Sequence, residues 1–431
     1  MALELILSSG IFQKFMSQIV EKIYRRIDSV DFLRGLVMVI MLIDHTREYV
    51  HADAFRFTPT DLTKTNVALF FTRWITHFCA PTFVFLAGTS IYLQKMRGKS
   101  TAELSKFLLT RGLWLIVLEF TVVRFSLFFN FDYSFFGLAE VIWIFGVSMI
   151  VLAALIRLPA RVVAALGIAA IALHNLLDRF TVPPAISMAG MPAPDALQKL
   201  WMFLHQPGFV PLAPDVKMFV AYPLIPWVGV MAAGYALGVV YTWEAERRRK
   251  FLLKLGLILT ALFVMIRATN LYGDPEIWTA QPSPLFTVLS FLNTTKYPAS
   301  LLFLLMTIGP ALMILSLTDK INAPNAPNEQ GENNFLSRIL ITFGRVPLFY
   351  FILQMFVAHL FGILLSLLVG KSIGFYFLNF PNSSTDAPPN AGFPLWVVYA
   401  TWLAGLIVLY PLCRWYGKIK QGRRGFPFSY L

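Results

Sequence analysis

The chain has 431 residues, of which 14% are Asp, Glu, Lys or Arg and 57% are hydrophobic, with a mean hydropathy of +0.65. A soluble protein carries about 25% charged residues, so this composition excludes a water-facing globule and fits helices that meet lipid, where the backbone satisfies itself. The net charge of +13 is dispersed between apolar runs, which speaks against a nucleic-acid face and for basic residues placed by membrane topology.

Gln13, Lys14, Gln18, Glu21 and Lys22 interrupt any apolar core near the amino terminus, so no cleavable signal is expected. Apolar residues at helical spacing instead predict an amphipathic segment over 1–29, lying on the cytoplasmic face. Ten apolar runs follow, near 30–50, 68–93, 107–129, 136–156, 161–178, 218–241, 251–270, 297–318, 339–368 and 394–415. Each is long enough to cross a bilayer, and the ninth is long enough to tilt or to continue past the surface. The fold class expected is all-α, a polytopic membrane protein with about ten transmembrane helices. A single transmembrane domain would span 30–418, and a basic tail 419–431.

Charge sets the orientation. Arg25 and Arg26, the Lys95–Arg111 group, Arg157 and Arg161, the Arg247–Lys254 group, Lys320 and Arg338, and the tail from Arg414 to Arg424 all fall on one side when ten spans alternate. The other connections hold only Arg56, Lys64, Arg179, Lys199, Lys217 and Lys371. The rich side is cytoplasmic by the positive-inside rule, with both termini there. Two outer connections, about 179–217 and 271–296, are long and rich in Pro and aromatics, as loops over a site are. Pro183-Pro184 through Pro194 and then His205-Gln-Pro-Gly-Phe exclude one regular helix there. Asn322 to Asn334 reads as a linker. Cys79 and Cys413 lie in apolar runs and offer neither a disulfide framework nor metal-ligand spacing. No convincing internal repeat is present, which weighs against an inverted-repeat transporter.

Ionisable groups inside spans are expensive and therefore functional candidates. The first span holds Asp28, Asp31, Arg34 and Gly35, then Asp44, His45, Arg47 and His51. His45 lies eleven residues beyond Arg34, roughly 16 Å deeper on a helix. The second span returns with Arg73 and His77, so His45, His77 and Asp44 or Asp53 are expected to share a polar cavity. A neutral imidazole there can accept a proton, and a carboxylate beside it can fix its tautomer. Glu119, Arg124, Glu140, Arg267 and Lys296 extend the set, with Glu119 paired to Arg124 or Lys296 as one arrangement. Arg345, with Arg34, can bind an anionic group or simply mark the membrane edge. Phe209, Tyr272 and Trp278 in the outer loops read as interface anchors.

At these residues the sequence resembles a known group. Arg34 and His45, with ten residues between them, match the spacing of the membrane acyltransferase-3 proteins. Arg26-Ile-Asp-Ser-Val-Asp-Phe-Leu-Arg-Gly, His77-Phe-Cys-Ala-Pro-Thr-Phe-Val-Phe-Leu-Ala-Gly, Tyr222-Pro-Leu-Ile-Pro-Trp-Val-Gly, Phe291-Leu-Asn-Thr-Thr-Lys-Tyr-Pro and Phe343-Gly-Arg-Val-Pro-Leu-Phe-Tyr are similar to segments of the bacterial relatives of heparan-α-glucosaminide N-acetyltransferase. Relative to the lysosomal enzyme, no amino-terminal lumenal domain is expected, which would leave sugar binding to the outer loops. The lysosomal enzyme's catalytic histidine lies nearer in position to His51, and Gln354 stands where many bacterial relatives have histidine.

The resemblance implies transmembrane acyl transfer from cytoplasmic acetyl-CoA or another acyl-CoA to a sugar or glycan hydroxyl or amine on the far side. His45 would be base or transient acyl carrier, with Asp44, His77 and His51 as the other catalytic candidates. Arg34, Arg345 and Lys296 would hold the donor, and Phe209, Tyr272 and Trp278 would be sugar platforms if they are not interface anchors. The partners expected are the lipid bilayer, acyl-CoA and a glycan, with no nucleic acid and no metal, a homodimer being left open. A bacterial cytoplasmic (inner) membrane is the expected location. The rival reading is a transporter or flippase of an anionic or lipid-linked solute, in which the same charges form a permeation path.

Overall fold

A computed structural model describes residues 27–182, 194–319, 335–380 and 382–422. The amphipathic segment before residue 27, most of the Pro183–Pro194 stretch, the Asn322–Asn334 linker and the tail beyond residue 422 lie outside the described residues.

The protein is mostly helical. Helix α1 (Asp28–Val50) is followed by α2 (Val67–Trp74) and α3 (Cys79–Met96), joined by a 3₁₀ turn over Ile75–Phe78. Pro81 has no N–H to give the carbonyl four residues back, that of His77, so the helix tightens there. Helix α4 (Thr101–Leu118) begins with a capping box between Ser100 and Glu103 and runs through a π turn at Glu119–Val123 into α5 (Arg124–Phe128). Next come α6 (Val141–Leu155), α7 (Ala160–Leu173), α8 (Ala196–Leu204), α9 (Leu224–Leu237), α10 (Ala245–Thr269), α11 (Pro284–Leu292), α12 (Leu301–Thr318), α13 (Phe335–Arg345), α14 (Pro347–Leu368) and α15 (Leu395–Gly422).

Three findings correct the sequence reading. The chain is not purely α: β1 (Phe135–Ala139) pairs in parallel with β3 (Val216–Val220), which pairs antiparallel with β2 (Gly208–Ala213). The strands take the leading residues of the apolar runs at 136–156 and 218–241. Glu140 and Pro223 then stand at the N-caps of α6 and α9, so each helix starts later than its run. The third correction concerns the run at 339–368, which is two helices: Val346 precedes Pro347 and leaves the helical region, ending α13 at Arg345.

Seven helical stretches among the described residues are long and apolar enough to cross a bilayer: Val67–Met96, Ala160–Leu177, Leu224–Thr242, α10, α12, α14 and Leu395–Lys420. The other three expected spans fall short for physical reasons. Helix α1 carries Asp28, Asp31, Arg34, Asp44, Arg47 and Glu48, and α4 carries Glu103, Lys106 and Arg111. Helix α6, with 15 residues, is about 22 Å long against a hydrocarbon core of about 30 Å.

Packing makes α1 the inner element. It contacts α3, α12, α13, α14 and α15. Its crossing with α13 is a backbone contact: a Cβ on Gly35 would come 1.8 Å from the Leu340 carbonyl oxygen, and one on Gly344 would come 1.8 Å from that of Asp31. Helices α3 and α9 meet in the same way at Gly88 and Gly234. In lipid, where burying apolar surface drives little association, such close approach supplies much of the attraction between helices.

Gly35→Val is expected to force α1 and α13 apart at a cost of about 1–3 kcal/mol or more, read as a lower unfolding temperature of the detergent-solubilised protein. Gly374→Ala, where an added Cβ meets nothing within 4 Å, is the control and should melt with the wild type.

Candidate active site

Between α1, α3, α6 and α14 lies a cavity of about 700 Å³, within the usual size range of ligand pockets. Its two ends differ in chemistry. Around the amino-terminal end of α1 the lining holds Arg34, Gln94, Arg97, Arg111, Arg345 and Lys420, with Asp31 as the carboxylate among them. Its middle is apolar, with Met41, Ala87, Phe145, Met149, Leu348 and Phe351. Toward the carboxyl end of α1 it becomes polar again, with Asp44, His45, Glu48, Arg73, Glu140, Tyr222, Lys296 and Tyr297.

The α1–α13 crossing builds the first end. Arg34 and Arg345 each adjoin the glycine that lets the two helices touch, so one contact brings both guanidinium groups to this end of the cavity. Arg34 donates to the Leu86 carbonyl at 3.0 Å and to the Ser90 hydroxyl, and pairs with Asp31 at 3.3 Å. Arg345 pairs with Asp28 at 3.1 Å.

Helical spacing organises the second end. Residues three apart share a face, whereas neighbours do not. The carboxylate against His45 is therefore not Asp44 but Glu48, with 3.0 Å between Nδ1 and Oε2. Asp44 is held by Arg47, three residues on, at 3.0 Å, and by Arg73 from the 67–96 span. Arg73 also donates to the Tyr297 hydroxyl at 3.4 Å, and the Lys296 ammonium lies over the Tyr222 and Tyr297 rings at 5.6 and 5.2 Å. Lys296 thus stands at the Asp44 end, apart from Arg34 and Arg345. Phe351 meets the His45 ring edge-on at 6.4 Å.

The remaining sequence candidates lie elsewhere. His77 and Asp53 are not on the lining, so the shared cavity holds His45 and Asp44 without them. His77 is buried beside Phe303, with 5.5 Å between ring centroids. His51 is buried and off the lining: its Nδ1 accepts from the Asp53 N–H at 3.2 Å, and its backbone bridges to Phe393. Glu119 pairs with neither Arg124 nor Lys296 and accepts instead from the Trp143 N–H. Arg124 and Arg267, each 1% exposed, donate to backbone carbonyls, Arg124 to Asn130 and Phe135, and Arg267 to Glu276 and Asn293. Of the three aromatics singled out in the sequence, Tyr272 donates to the Ala172 carbonyl, Trp278 donates to the Arg267 carbonyl at 2.9 Å, and Phe209, on β2, stacks on Phe380.

Glu48 is the residue that sequence reasoning passed over. Its signal was present as a carboxylate three residues after a histidine inside an apolar helix.

These features define a multi-pass membrane protein whose helices enclose a cavity with a cationic end and a histidine–carboxylate end. The family model described as heparan-alpha-glucosaminide N-acetyltransferase, catalytic, matches residues 26–272, and the chain belongs to that family. It is accordingly a transferase of an acetyltransferase family. No curated protein matches the chain.

Asp44→Ala would leave Arg47 and Arg73 without their shared carboxylate. Removing one partner of a buried ion pair costs about 3–5 kcal/mol, so the unfolding temperature in detergent should fall clearly. An unchanged melting curve would show that the cluster is not structurally coupled.

Proposed function

We propose that the protein transfers an acyl group, acetyl being the family's choice, from acyl-CoA to a hydroxyl or amine of a sugar or glycan across a bacterial cytoplasmic membrane. In this reading α1, α4 and α6 complete ten crossings, residues 30–418 form one transmembrane domain, and both termini are cytoplasmic. The observation that carries it is the polarity of the cavity, with cations at one end and the His45–Glu48 pair about 16 Å away along α1.

Arg34, Arg345 and their basic neighbours would receive the phosphates of the donor, since guanidinium groups bind phosphate oxygens with charge-assisted hydrogen bonds. The apolar middle would take the pantetheine arm and bring the thioester to His45. With the Nδ1 proton directed at Glu48, Nε2 carries the free lone pair and removes the proton of the acceptor as its oxygen or nitrogen attacks the carbonyl carbon. The C–S bond then breaks, and the imidazolium returns the proton to the departing thiolate. Arg73 and Lys296 supply positive charge near the developing oxyanion. Asp44, already engaged by two arginines, holds Arg73 and leaves the orientation of His45 to Glu48. His77 and His51 would act as packing and anchoring groups.

His45→Ala should abolish acetyl transfer from radiolabelled acetyl-CoA in nanodiscs. Glu48→Gln should lower kcat by about 10²-fold or more, as for a misdirected general base. Arg345→Ala should raise KM for acetyl-CoA with kcat little changed. Full activity in the His45 variant would exclude it as the reacting base. Wild-type protein that neither transfers nor hydrolyses acetyl-CoA would favour the transport reading.

A further inference from the structure

Outside the cavity, the described residues bring together one further group of metal-ligating side chains. His174 opens the 3₁₀ turn that ends the Ala160–Leu177 stretch, Asp178 follows it, and His205 closes α8. One ligand atom from each of the three lies within 4.8 Å of the others. His174 and His205 are 2% and 3% exposed, and their rings are 5.6 Å apart.

The hydrogen bonding around the group is one-sided. Neither ring nitrogen of His174 makes a hydrogen bond of good geometry, although the Ala299 backbone stands close to the ring, and His205 has none on Nδ1. Buried imidazole nitrogens so poorly partnered are expensive unless something else engages them. Asp178 divides its oxygens: Oδ2 accepts from the Asn175 side chain at 2.8 Å, while Oδ1 faces His205 Nε2 at 2.8 Å. Asn175 in turn accepts from the Leu301 N–H at 2.9 Å, at the start of α12. Such a carboxylate is oriented by an outer partner with its other oxygen turned inward, the arrangement that holds a metal-ligating carboxylate in place.

We propose that His174, Asp178 and His205 bind a divalent transition-metal ion of the zinc type. Two imidazoles and a carboxylate are a donor set that suits zinc and the neighbouring first-row ions better than magnesium or calcium, which prefer oxygen ligands throughout. A fourth position is left for water. None of the three residues lines the cavity, so the ion acts as a staple. It ties the end of α7 to the end of α8, three residues before β2, and through β3 it steadies Tyr222 on the cavity wall. The inference is independent of the acyl-transfer reaction.

The test uses full-length, tag-free protein in nanodiscs, stripped with a chelator and titrated with Zn²⁺ alone or Co²⁺ alone. The expected result is about one ion per chain, with visible d–d bands for Co²⁺ and an unfolding temperature that rises with added Zn²⁺. His174→Gln and Asp178→Asn should each weaken binding at least tenfold, and the His174→Gln/His205→Gln double variant should lose the Co²⁺ bands. Wild-type protein that takes up no stoichiometric ion would overturn the proposal and leave only an Asp178–His205 hydrogen bond. Undiminished Co²⁺ bands in the double variant would overturn it equally. Because wild-type uptake decides the matter, a variant that fails to fold does not rescue the idea.

Discussion

The contact on which the site depends is the backbone approach of α1 to α13. Two glycines, Gly35 and Gly344, remove the side chains that would hold these helices at an ordinary separation. Each glycine adjoins an arginine of the cavity lining, Arg34 or Arg345, so one packing event sets both the wall of the cavity and its charge. Helix α1 can then lie inside the bundle although it is too rich in ionised residues to face lipid. Its charges are answered locally: Asp31 by Arg34, Asp44 by Arg47 and Arg73, and Glu48 by His45.

Much of this was legible in the sequence, and the unreadable part has identifiable causes. Apolar length and basic connections located the helices, because lipid constrains both. They did not reveal the small sheet. An apolar run of about twenty residues looks the same whether its first five residues extend the helix or turn into a strand. At Tyr222-Pro223 the proline was visible, but which side of it would be helix was not. The ninth run was split by Pro347 for a reason that a residue-by-residue reading contains and a hydropathy window averages away.

The site shows the same division. Arg34, Asp44, His45, Lys296 and Arg345 stand out as charges within apolar runs, and all five line one cavity. Matching depth along two spans brought His77 to the level of His45, but depth says nothing of azimuth. The 3₁₀ turn before Pro81 leaves His77 buried beside Phe303, off the lining. Adjacency in sequence misled in a similar way. Asp44 neighbours His45 along the chain, yet on a helix the neighbour points about 100° away, and the partner is found one turn on. His174 and Asp178 sit four apart with no further ligand nearby in sequence, so their meeting with His205 depends on a fold the local pattern does not contain.

That geometry also separates two kinds of carboxylate that composition treats alike. Asp44 accepts from two guanidinium groups, so its charge is already balanced and a proton on His45 would gain little from it. Glu48 has His45 as its closest partner, with Arg47 only at 3.7 Å, so its charge remains available to a developing imidazolium. The first arrangement resists change and belongs to the architecture. In the proposed reaction the second would gain stabilisation when a proton arrives at Nε2, as catalysis through a transition state requires. A cavity that holds both, with cations placed about three helical turns away, would suit the proposed movement of a group from an anionic carrier to an acceptor.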